Sequence, residues 1–270
     1  MQEIVKRSIT GTALVLLMVA AIIGGEISFM IFFALLIAGT MWEFYGLANK
    51  MDIEPQKIWG IAGGLLLYTL FYLTATGLVK SSLFAVLIAW GLISFVIELL
   101  RNKNRPYQNI AFTWMGIIYI AVPIAMLLDI AYRQNIFQYS HHLVLSYFIL
   151  IWTYDTMAYV CGLLWGKHKL FERISPKKTW EGAIGGLVFA LLASYLLSTL
   201  FEELTRFQWF TFATLVSVFG TIGDLAESML KRSIGVKDSG NILPGHGGLL
   251  DRFDALFLAI PAVYLYLQFI

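Results

Sequence analysis

Residues 8–48 read SITGTALVLLMVAAIIGGEISFMIFFALLIAGTMWEFYGLA, two apolar runs parted only by Gly24, Gly25 and Glu26. Each run is long enough for a helix to cross about 30 Å of hydrocarbon, which takes roughly 20 residues. Three residues between them leave room for a tight turn and nothing more. The short alternating segments of an outer-membrane barrel are absent. The stretch reads as a pair of membrane helices, and the rest of the chain repeats the pattern.

Nine spans are expected, at about 8–24, 28–48, 58–79, 82–100, 110–132, 143–164, 183–201, 207–230 and 249–270. The chain of 270 residues is 59% hydrophobic and 13% charged. A soluble domain carries roughly 25% charged residues, so the composition excludes that class. The fold class is therefore all-α, a polytopic integral membrane protein. The first run follows Lys6 and Arg7 but shows no convincing cleavage site, and it is expected to be a transmembrane helix. The single Cys161 excludes an internal disulfide and a cysteine-based metal cluster. Pro55 and Pro106 mark helix boundaries before spans three and five. Two regions are expected: 1–142 as an N-terminal transmembrane scaffold of about five helices, and 143–270 as a C-terminal catalytic region of about four helices with cytoplasmic loops.

Charge placement orients the chain. With a cytoplasmic N-terminus and nine spans, sixteen of the nineteen Lys and Arg residues fall inside, and only Lys80, Arg133 and Arg206 fall outside. Segments 165–182 and 231–248 then share the cytoplasmic face, which for a bacterial chain is that of the inner or plasma membrane.

The residues that carry chemistry gather late. Segment 223–254, GDLAESMLKRSIGVKDSGNILPGHGGLLDRFD, holds five carboxylates, four Lys or Arg residues and six glycines. Charges near lipid depth are costly and normally face a cavity or a partner. Asp224, Glu227, Ser228 and Lys231 stand at i, i+3, i+4 and i+7, on one helical face. Their oxygens are the hard ligands magnesium accepts, and Lys231 and Arg232 suit phosphate. Asp251 and Asp254 repeat the i, i+3 spacing around Arg252. Ahead of them Pro244-Gly245-His246-Gly247-Gly248 is a turn that exposes backbone N–H groups. If spans eight and nine are antiparallel neighbours, Asp224 and Asp251 are expected to converge. The alternative is mutual structural hydrogen bonding.

Two further motifs stand apart. Ser175-Pro176-Lys177-Lys178-Thr179-Trp180-Glu181-Gly182 offers lysines and hydroxyls at an expected helix start, an anion site. The competing reading gives the lysines to acidic headgroups and Ser175 or Thr179 to helix capping. Asp155 lies inside span six, and an intramembrane carboxylate is a functional candidate by default. His141 and His142 read as interfacial, and Asp129 as reaching water. Glu43 and Glu98 read as snorkelling or structural.

The run from Ser228 through Lys237-Asp238 to Leu243-Pro-Gly-His-Gly-Gly-Leu-Leu-Asp-Arg-Phe-Asp254 resembles the signature of the phosphatidate cytidylyltransferases, or CDP-diacylglycerol synthases. The Ser175–Gly182 and Asp155-Thr-Met-Ala-Tyr runs resemble that family too. The likeness is dense over about 150–256 and general over the first five spans. It implies transfer of a cytidylyl group from CTP to phosphatidic acid, giving CDP-diacylglycerol and pyrophosphate. It also implies dependence on magnesium, one ion or two. Asp224 and Asp251 become the leading metal ligands, with Asp254 and Glu227 beside them. Lys231, Arg232 and Asp155 join Asp224 and Asp251 as catalytic candidates. Ser175, Lys177, Lys178, Thr179, Glu181, Ser228, Lys237, Asp238, His246, Gly247, Gly248 and Arg252 are the substrate-binding candidates.

The partners expected are CTP, phosphatidic acid and membrane lipids, with no nucleic acid. The first five spans leave two roles open, a homodimer surface or a lipid-side wall. A CTP-dependent lipid or polyprenol kinase is the rival enzyme, and an ion-coupled transporter the rival of another class. The transporter is disfavoured because no internal repeat is visible and charge clusters at one face.

Overall fold

A computed structural model describes residues 2–133, 138–243 and 247–270, with side chains from residue 9 onward outside those gaps. Its helices are α1 Gln2–Ile23, α2 Glu26–Asn49, α3 Lys57–Ala75, α4 Val86–Arg101, α5 Pro106–Gly116, α6 Val122–Tyr132, α7 His142–Trp165, α8 Trp180–Leu200, α9 Arg206–Ser233, α10 Leu250–Phe253 and α11 Leu256–Gln268. Strands β1 Lys169–Phe171 and β2 Ser175–Thr179 pair antiparallel. The chain is an all-α polytopic membrane protein, with one small hairpin among the described residues.

Among the described residues seven helical segments are long and apolar enough to cross a membrane, including Ser81–Arg101, where a 3₁₀ turn runs into α4, and Pro106–Tyr132. In lipid every backbone N–H must bond within its own segment, so such runs have no alternative to helix. Their hydroxyls follow suit: Thr40 donates to Leu36 O at 2.6 Å, Thr153 to Ile149 O at 2.7 Å and Ser217 to Ala213 O at 2.8 Å. Pro106 opens α5 at its first turn, as its spacing predicts. Pro123 lacks the N–H of a continuing helix, and a π turn over Ile117–Ala121 precedes it while the helix runs on.

The segment expected as a ninth span is not one helix. It divides into α10 and α11, with Asp254 and Ala255 between them. Asp254 Oδ1 accepts the Ala255 N–H at 2.7 Å, taking the donor that would have carried α10 onward. The 13 residues of α11 reach about 20 Å, short of a membrane core.

The chain forms two compact units, residues 1–139 with 234–253, and residues 140–233 with 254–270. Phe29, Phe33, Ile37, Met41, Phe44 and Tyr45 of α2 and Ile124, Ala125 and Leu128 of α6 are buried in the first unit. Tyr45 donates to Thr113 O at 2.7 Å. Beside that core Glu98 is fully satisfied: it accepts from Gln56 Nε2 at 2.8 Å, Asn109 Nδ2 at 2.6 Å and Arg101 at 2.7 Å. This knot ties α4 to the start of α3 and to α5, and it accounts for Glu98 as a structural residue. In the second unit α7 and α8 approach through small residues. A Cβ on Gly182 would lie 2.6 Å from Ala158 O, and one on Gly186 2.8 Å from Tyr154 O. Such close backbone contact is a common way to associate helices where lipid removes the hydrophobic drive.

Candidate active site

Within the second unit, α7, β2, α9 and the turn before α11 supply a cluster of charged groups. Lys178 of β2 forms an ion pair with Asp224 of α9. Ser228, one turn on, donates to Asp224 Oδ1 at 3.2 Å. Tyr154 OH and Thr221 Oγ1 lie 2.6 Å apart and join α7 to α9 next to Asp224. Asp155 is exposed and within electrostatic reach of both Lys178 and Asp224. Asp254 feels Asp224, Glu227 and Asp155. Its place follows from Gly223, where a Cβ would stand 2.7 Å from Asp254 O, so α9 takes the turn in close contact.

One turn further, Glu227 and Lys231 pair at 2.5 Å, and both are buried. The spacing puts Lys231 where it suits phosphate oxygens, and the i, i+4 geometry also pairs its ammonium with Glu227, the salt bridge that the same spacing allows. Removing either partner of a buried pair typically costs about 3–5 kcal/mol, because the other charge is left uncompensated. Arg232 is exposed at the end of α9.

Ser175–Thr179 is a strand that runs into the expected helix start, and Thr179 is the N-cap of α8, accepting the Gly182 N–H at 3.2 Å, as the capping reading has it. Lys178 reaches Asp224 from this strand, while Lys177 is exposed and Ser175 half-buried. Glu181 serves the base of the hairpin. It accepts the backbone N–H groups of Lys167 at 3.1 Å and His168 at 3.2 Å, and its Oε1 lies 2.5 Å from His168 Nδ1.

The first unit holds a second acidic cluster, on the segment that leads into α10. Asp251 Oδ2 accepts the Ser239 N–H at 2.9 Å and the Gly248 N–H at 2.8 Å, and lies 2.9 Å from Ser239 Oγ. Gly247 supports this turn at φ +82°, where side chains are rarely accommodated, and its carbonyl accepts the Leu243 N–H at 3.1 Å. Glu43, on α2, accepts the Leu250 N–H at 2.8 Å. Position in an apolar run gives no hint of that bond. Lys237, Asp238 and Arg252 of this segment are exposed. His246 lies outside the described residues.

Asp224 and Asp251 thus belong to different compact units, each with its own set of partners. Among the described residues no group of three or more His, Cys, Asp or Glu side chains forms a ready-made metal cage. Magnesium does not need one: it commonly takes one or two carboxylates and completes its shell with water and substrate phosphate. The donors fit that mode. Asp155, Asp224, Glu227 and Asp254 bring four carboxylates against the two ammonium groups of Lys178 and Lys231, an excess of acid that a divalent cation would offset.

Similarity to known proteins covers both units. The phosphatidate cytidylyltransferase of Bacillus subtilis is 33% identical over 273 aligned residues, 98% of this chain and 97% of its own length. That of Staphylococcus saprophyticus is 34% identical over 94% of this chain and 95% of its own. That of Staphylococcus aureus is 38% identical over 65% of each. Residues 5–270 match the cytidylyltransferase family, and the chain belongs to that family.

Proposed function

We propose that this protein transfers the cytidylyl group of CTP to phosphatidic acid, releasing pyrophosphate and leaving CDP-diacylglycerol in the membrane. The observation that carries the reading is similarity to a phosphatidate cytidylyltransferase along 98% of the chain.

A phosphate monoester has its second pKa near 6, so phosphatidate at neutral pH is largely a dianion and needs no general base. Its oxygen attacks the α-phosphorus of CTP in line. The new P–O bond forms as the bond from the α-phosphorus to the bridging oxygen breaks, and that oxygen leaves with pyrophosphate. Two polyanions must meet, so positioning and charge compensation dominate the barrier. Lys178 is the first cation we assign to phosphate, since an ion pair that is part-exposed can exchange Asp224 for a substrate oxygen. Arg232 and Lys177 of the same unit are exposed cations suited to the triphosphate, and Lys237 and Arg252 are exposed cations of the other unit. We assign magnesium ligation to Asp224, with Glu227 and Asp254, in one cluster and to Asp251 in the other. The ion, when bound, would neutralise charge on phosphate oxygens.

We place the N-terminus and segments 165–182 and 231–248 on the cytoplasmic side, where CTP is found. The charge bias supports this, and the division of the ninth span leaves it intact, because both segments come earlier in the chain. The test is turnover of the full chain in detergent with CTP, phosphatidic acid and Mg²⁺. Equal yields of pyrophosphate and lipid-linked CMP are expected. CDP with a lipid pyrophosphate would mean attack at the γ-phosphorus and would replace the reading with a lipid kinase.

A further inference from the structure

Glu43 lies in the last two turns of the apolar helix α2 and is 5% exposed. Its carboxylate meets the segment that carries Asp251. Glu43 Oε2 accepts the Leu250 N–H at 2.8 Å, and Ser239 Oγ stands 3.3 Å from the same oxygen. Ser239 Oγ also stands 2.9 Å from Asp251 Oδ2. One hydroxyl proton serves one acceptor at a time, so Ser239 couples the two carboxylates, and whichever it leaves depends on backbone donors. The segment is shaped around the glutamate. A Cβ on Gly240 would lie 2.7 Å from Glu43 Cδ, and one on Gly248 would lie 2.6 Å from Glu43 Oε2. Any larger residue at either glycine would push the loop off the carboxylate.

We propose that Glu43 is a positioning residue for Asp251. It anchors both ends of the segment, at Ser239 and at Leu250, and so fixes the place and the orientation of the Asp251 carboxylate. The proposal rests on the assignment of Asp251 as a magnesium ligand. Buried hydrogen-bond partners of this kind set the orientation of ligating carboxylates, and losing one typically costs roughly ten- to a hundredfold in metal affinity or activity.

The experiment compares Glu43→Ala and Glu43→Gln in the full-length protein by two measurements. Amide hydrogen exchange reads the anchoring itself. In Glu43→Ala the Leu250 and Ser239 amides should exchange roughly tenfold faster or more, the factor set by loss of a bond to a charged acceptor. Exchange across α7–α9 should stay as in the wild type, which establishes that the variant is folded. The Mg²⁺ concentration for half-maximal turnover should rise roughly ten- to a hundredfold. Glu43→Gln keeps a carbonyl oxygen for the Leu250 N–H and should recover most of both effects. A merely structural glutamate would lower the active fraction without moving the Mg²⁺ requirement. Wild-type protection at Leu250 in Glu43→Ala overturns the proposal, as does lost protection with an unchanged Mg²⁺ requirement. Asp251→Asn is run beside them. Full turnover in that variant removes Asp251 from the site, while Leu250 protection still decides whether Glu43 holds the segment.

Discussion

The two acidic clusters use the same side chain under opposite conditions. Asp224 meets donors that are themselves side chains, the Lys178 ammonium from β2 and the Ser228 hydroxyl from its own helix. Asp251 meets two backbone N–H groups and one hydroxyl, all on one oxygen. Side-chain donors can rotate away when a substrate phosphate or an ion arrives. Backbone donors cannot, and a carboxylate held by them leaves its other oxygen at a fixed place. The first cluster is adjustable and compensated by charge. The second is set in advance by the fold. For the proposed reaction between two polyanions each property would be useful in its own way: movable cations would follow charge as pyrophosphate departs, and a fixed carboxylate would cost little reorganisation.

The comparison predicts unequal sensitivities. Asp251→Asn should have the largest effect, a fall in turnover of roughly 10²–10³-fold at saturating CTP, the scale for removing a preorganised electrostatic contact. The amide is the same size but lacks the charge, and with its carbonyl oxygen turned to the three donors at Oδ2 its NH₂ group takes the other position, where it cannot ligate a metal. Initial rates measure this, and a loss under about tenfold would end the claim that the fixed carboxylate matters more. Lys178→Ala should cost less, about tenfold, because neighbouring cations can partly substitute and the pair is part-exposed. Its signature is the salt response: turnover should depend less on ionic strength in Lys178→Ala than in the wild type. If Lys178→Ala were the more damaging of the two, the adjustable cluster would be the critical one.

Much of the architecture can be read from the sequence because lipid leaves long apolar runs a single solution. The failures are local or distant, and each has a cause. The division of span nine turns on one bond, from Asp254 to its neighbour's N–H, which hydropathy does not weigh. The β hairpin has a polar, proline-bearing second strand. Its register, Lys169 opposite Thr179, is supported by the Trp180 N–H bonding to His168 O at 3.0 Å and by Glu181, not by any alternation of apolar residues. Glu43 and Glu98 look alike in the sequence, each a lone acid near the end of an apolar helix. Glu98 is satisfied by three neighbouring side chains. The bond from Leu250 to Glu43 spans 207 residues, a distance over which no periodicity carries information. The candidate residues are legible as a list and not by compact unit, because composition along the chain does not report which unit a segment joins.

The smallest predicted effect separates two roles for one hydroxyl. Family resemblance gives Thr179 to phosphate, whereas the structure gives it to the first turn of α8. Loss of an N-cap costs about 1 kcal/mol, and a serine retains the cap. Thr179→Ala should therefore lower the melting temperature by roughly 2–4 °C, with Thr179→Ser close to wild type. Turnover of the folded enzyme should fall only a few-fold, through a looser hold on the strand that presents Lys178. A fall beyond about a hundredfold at the same thermal shift would exceed what capping supplies. The Thr179 hydroxyl would then belong with the substrate, and β2 would contribute a fixed contact to the otherwise adjustable cluster.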